Sequence, residues 1–162
     1  MKLQKHGIHW LGNIILLVIF LGLIYYIESK ILDGLVTFND DTDLGEWLKF
    51  FQTVAFSGCG AALLGVIFWY VWGTFLVYPE NDQKRAQIIN PFIWWIVFLS
   101  LCVIVLVCMI ITKAKDYVWL VHLFYAFNIL GYFYLTTALF SPVSIKYTPP
   151  GAKYLRKFWD RS

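Results

Sequence analysis

Long apolar runs alternate with short polar connections along the chain, which ends in a basic tail. The runs fall at about 10–27, 44–78, 91–112 and 117–140, and residues 141–162 remain as the tail. A helix needs about 20 apolar residues to cross the roughly 30 Å hydrocarbon core of a bilayer, and each run is near or above that length. The pattern predicts an all-α integral membrane fold: one domain of four transmembrane helices with a short amphipathic C-terminal segment. The first run, Trp10–Ile27, follows Lys2, Lys5, His6 and His9 and resembles a signal peptide in outline. It is long for such a segment and has no small-residue cleavage motif, so an uncleaved first span is expected.

The second run organises the rest. Phe50–Pro79 contains no charged residue, and Gly, Ala, Ser and Cys crowd its first half. Placing its residues at helical intervals gathers Ser57, Gly58, Ala61, Ala62 and Gly65 on one side, with Trp69, Trp72 and Gly73 continuing it and Leu64 and Val66 assigned to the other. Lipid tails reward no hydrophobic contact, so spans associate by close packing, and a face of small residues permits it.

The polar stretches supply starts and stops. Glu28–Lys49 is read as the one sizeable connection and holds six of the ten acidic residues. Asn39–Asp43 resembles a calcium loop but fails that test, because Leu44 stands where glycine is needed and Phe50 where a bidentate glutamate is needed. Capping accounts for it better: Asp43 as N-cap and Glu46 three residues on. Asn90-Pro91 is read as the start of the third helix, preceded by a polar connection at 80–90. The linker Lys113–Asp116 is short enough to force an antiparallel hairpin, and Ser141-Pro142 ends the fourth helix.

Composition agrees: 60% of residues are hydrophobic, 20% aromatic and only 14% charged, outside the range of soluble domains. Cys59, Cys102 and Cys108 all lie in apolar runs, without the spacing of a disulfide framework or zinc site. Charge matters through its distribution. Nine of the thirteen basic residues fall on the side of the termini and four on the other, which places both termini in the cytoplasm, N-in/C-in, of a membrane expected to be the bacterial inner membrane.

With these boundaries no Asp, Glu, Lys or Arg lies inside a span. Coupled carriers depend on such residues, so coupled transport by this chain alone is disfavoured. The fourth helix carries one polar seam: His122, Tyr125, Asn128, Tyr132 and Thr136. Hydrogen bonding between helices is the expected role, and a lipid, quinone or ligand groove the alternative. Haem would need a second histidine at the depth of His122, and no cofactor or metal is expected. In the tail, three prolines and a glycine within Ser141–Gly151 exclude one continuous helix. Ala152–Asp160 is expected to form a short helix with Lys153, Arg156, Lys157, Phe158 and Trp159 meeting an anionic lipid surface or a protein partner.

No Walker loop, Gly-x-Ser-x-Gly, His-Glu-x-x-His or Cys-x-x-Cys motif occurs. These features together point to a non-catalytic integral-membrane subunit of a larger inner-membrane complex, of secretion, polysaccharide-export or respiratory type. Its partners would be membrane lipids and other integral-membrane subunits, with no nucleic acid. A self-associating channel or permease is the first alternative, and a quinone-binding redox subunit the second.

Overall fold

The structure is a computed structural model and describes residues 2–35, 44–75, 83–112, 118–140 and 149–156. In order the helices are α1 Lys2–Gly22, a π-helical segment Leu23–Glu28, α2 Ser29–Leu35, α3 Leu44–Phe75 and α4 Gln83–Ile111. They are followed by α5 Val118–Ala126, a second π-helical segment Phe127–Gly131, α6 Tyr132–Phe140 and the short α7 Ala152–Arg156. No strand occurs among the described residues. Four helices are long and apolar enough to cross a membrane: Trp10–Leu35, Leu44–Trp72, Ile89–Ile111 and Trp119–Phe140. This is the architecture of an integral membrane protein, because each such helix satisfies its own backbone in lipid.

Two helix starts and stops differ from the sequence reading. The first span continues past Ile27 to Leu35. The stretch leading into this continuation, Leu23–Glu28, is widened to π geometry, and the Ser29 hydroxyl donates to the Ile24 carbonyl five residues back at 2.8 Å. The third helix begins at Gln83, so Pro91 lies inside it and Asn90 is a buried helical residue rather than an N-cap. The reason lies in Gln83–Gln87, which is rich in strong helix formers, and a proline is tolerated where neighbouring groups satisfy the freed backbone. The proposed Asp43 cap, residues 36–43 of the acidic connection and the hairpin linker lie outside the described residues.

The core is aromatic. Span 2 packs against the other three, and span 1 also lies along α6. Trp94 stacks on Phe98 with centroids 5.2 Å apart, and its indole N–H donates to the Thr137 hydroxyl at 3.0 Å, fastening span 3 to span 4. Near the hairpin end the Thr112 and Tyr125 hydroxyls join the same two spans at 2.7 Å. The exterior is the reverse of a soluble protein: Val18, Leu64, Val103 and Ile110 face outward while Asn13, Glu28, Asn128, Thr136 and Thr137 turn inward.

Behind span 4 the chain turns back. The Tyr134 hydroxyl donates to the Pro150 carbonyl, and Ala152 N–H closes the turn on the Pro149 carbonyl at 3.1 Å. Gly151 holds φ at +80°, a left-handed conformation that glycine adopts without strain, and α7 then rests on α6.

Candidate functional site

The structure moves one ionisable residue from the loop into the bundle. Glu28 closes the first π-helical segment and is 3% exposed, because span 1 does not stop at Ile27. It ends seven residues before Leu35, about 10 Å below that end of the span at 1.5 Å per residue. There the Asn128 amide N–H donates to Glu28 Oε2 at 2.7 Å, across a pair of fully covered side chains. Asn128 sits in the second π-helical segment, Phe127–Gly131. Both members of the pair are thus carried on widened turns, which in α-helices recur at functional sites.

A second bond steadies the same turn from span 2. Gln52 Nε2 donates to the Ser29 hydroxyl at 2.9 Å. Cys59 of span 2 and Tyr125 of span 4 lie near enough to interact electrostatically with the Glu28 carboxyl. Coupled transport is disfavoured where spans carry no charge, and here the first span carries the buried carboxyl of Glu28.

The predicted seam is distributed unevenly. Tyr125, Asn128, Tyr132 and Thr136 are fully buried, and His122 is half-buried. Tyr125 is held by Thr112 and Asn128 by Glu28. Tyr132 and Thr136 influence one another one turn apart, yet neither hydroxyl meets hydrogen-bond geometry with a described group, and the same is true of Asn128 Oδ1. Further along, the Tyr70 hydroxyl lies 3.3 Å from Asn13 Oδ1 and 3.5 Å from the Thr136 carbonyl, while Asn13 Nδ2 has no partner among the described residues. A polar row therefore runs from Glu28 through Asn128, Tyr132 and Thr136 to Asn13. Fifteen residues of span 1 separate its ends, about 22 Å at 1.5 Å per residue.

The packing face is also redrawn. Gly58 lies against Ile129 and Ala62 is fully covered, whereas Ala61 and Gly65 are half-buried. Ser57 faces outward and bonds to the Thr53 carbonyl of its own helix at 2.8 Å. Val66, assigned to the opposite side, is fully buried, and Leu64 is 67% exposed. The buried line passes through Ala55, Cys59, Ala62, Val66 and Trp69, at spacings of three and four, so large side chains share it with small ones. In the tail, Tyr154 is exposed. Lys157, Phe158 and Trp159, and the side chains of Lys153 and Arg156, lie outside the described residues.

No group of three or more His, Cys, Asp or Glu is placed to hold a metal among the described residues. On the outer side of the first π-helical segment, Val18, Leu21, Gly22, Tyr25, Tyr26 and Phe56 line a shallow apolar groove of about 500 Å³.

No family model, curated protein or solved structure matches the chain.

Proposed function

We propose that this chain is a non-catalytic subunit of a larger assembly in the bacterial inner membrane, with both termini in the cytoplasm. The observation that carries the reading is where the inward polar groups go. They clasp one span to the next: Glu28 to Asn128, Ser29 to Gln52, Asn13 to Tyr70, Trp94 to Thr137 and Thr112 to Tyr125. A bundle cross-bonded in this way is a stiff body with apolar flanks, suited to holding neighbouring membrane proteins in register. Such bonds contribute about 0.6 to 2 kcal/mol each in a membrane. The distribution of basic residues supports the sidedness.

Native mass measurement after extraction in mild detergent tests the reading. Recovery with other membrane proteins at fixed stoichiometry is the expected result. Recovery as a pure homo-oligomer would replace the subunit reading with a self-associating channel, and a bound quinone would replace it with a redox subunit.

A further inference from the structure

We propose that Glu28 is an exchangeable proton-binding site inside the bundle, and that the buried row Asn128, Tyr132 and Thr136 relays its proton. The inference stands on geometry independent of the subunit reading.

Glu28 is the one buried acidic side chain among the described residues. If its task were only to fasten span 1 to span 4, a neutral glutamine would accept the same hydrogen bond from Asn128 without bringing a carboxyl into lipid, where ionisable groups are expensive and cluster on ion and proton routes. A metal cation would demand several oxygen ligands, whereas no second acidic side chain is buried with Glu28 and no metal-holding cluster occurs among the described residues; Asn128 instead presents an N–H to Oε2. With Oε2 occupied, Oε1 takes the proton.

The surroundings agree. No basic side chain pairs with Glu28 among the described residues, and its neighbours are Asn128 and Tyr125 of span 4, Cys59 of span 2 and Ser29 of its own helix, with Cys108 of span 3 beyond Tyr125. The row supplies the second observation. Asn128 Oδ1 and Asn13 Nδ2 are buried with no partner among the described residues, and between them the Tyr132 and Thr136 hydroxyls, one turn apart, face each other outside hydrogen-bond geometry. Buried polar atoms in native structures are bonded to protein or to ordered water, and a line of them joined by water carries protons by exchange. In the loading step a hydronium ion gives up a proton to this line, leaving water. At the other end an O–H bond forms on Glu28 Oε1, which becomes a neutral carboxylic acid, and the reverse step restores the carboxylate.

The test is pH-difference infrared spectroscopy of the whole chain in lipid vesicles, followed by transfer into D₂O. The C=O band of a protonated carboxyl should appear and vanish reversibly with pH, shift in D₂O, and be missing from Glu28→Gln. Should that variant fail to fold, Glu28→Asp keeps a carboxyl and is expected to move the band instead of removing it. Tyr132→Phe and Thr136→Val should leave the band's amplitude intact and slow its D₂O shift at least tenfold. A Glu28 band that ignores pH or D₂O would overturn the site. Unchanged exchange in both row variants would overturn the path.

Discussion

Adding one methyl group at Gly58 probes how closely span 2 meets span 4. In Gly58→Ala the new Cβ would lie 2.5 Å from Ile129 Cδ1 and 2.9 Å from Cγ1. Carbon atoms settle at about 3.5 to 4.0 Å, so the overlap is about 1 Å. Ile129 is fully buried, so the two spans must move apart or the isoleucine must leave its rotamer. Overpacking of this kind costs about 1 to 3 kcal/mol, a shift of roughly 5- to 150-fold in the unfolding equilibrium. Gly60→Ala is the matched control, because Gly60 is exposed and a Cβ there meets nothing within 4 Å. It should be neutral or stabilise by up to about 1 kcal/mol through helix propensity. Ile129→Val removes the nearer colliding atom, so the double variant should be more stable than the sum of the single effects predicts. Denaturant titration in mixed micelles, followed by far-UV circular dichroism, reads the parent, the three single variants and the double variant. If Gly58→Ala is tolerated as well as Gly60→Ala, the close approach is refuted.

Other positions give independent checks. A cysteine introduced at Asp41 should react with a membrane-impermeant thiol reagent in intact cells and one at Lys157 should not; the opposite pattern inverts the sidedness. His122→Gln keeps a donor and an acceptor at a half-buried site, so assembly and activity should persist; an assembled but inactive variant would make the histidine functional. Gly151→Ala meets both the φ of +80° and the Tyr134 hydroxyl at 2.9 Å, and should expose α7 to limited proteolysis while the spans remain folded. Unchanged cleavage would show that this turn does not hold the tail.

The four spans were legible because a bilayer imposes a length and a composition that the apolar runs meet directly. Their ends were not, for reasons particular to each. Glu28 reads as the first residue of an acidic loop, since a charge normally marks the edge of a span. Only its partner, 100 residues away along the chain, shows why a carboxyl continues the helix. Pro91 reads as a helix start, and the helix-forming residues before it decided otherwise. Tyr125, Asn128, Tyr132 and Thr136 were visible as one seam through their spacing. Asn13 was available as the single amide in the first apolar run, but nothing local links it to Tyr70. Residue size alone misplaces the edges of the small-residue face, because size does not report burial and Val66 packs inward as well as any alanine.

The bond from Asn128 to Glu28 joins the first span to the fourth, and a double-mutant cycle of Glu28→Leu and Asn128→Leu measures it most directly. Either change alone leaves a buried polar partner unsatisfied, a cost of about 1 to 3 kcal/mol, whereas replacing both with apolar groups of similar size removes the deficit on both sides. The double variant should therefore unfold at a denaturant concentration close to, or above, that of the single variants, with a coupling well beyond 0.5 kcal/mol. Strictly additive effects, within about 0.5 kcal/mol, would mean that the two side chains do not meet inside the bundle.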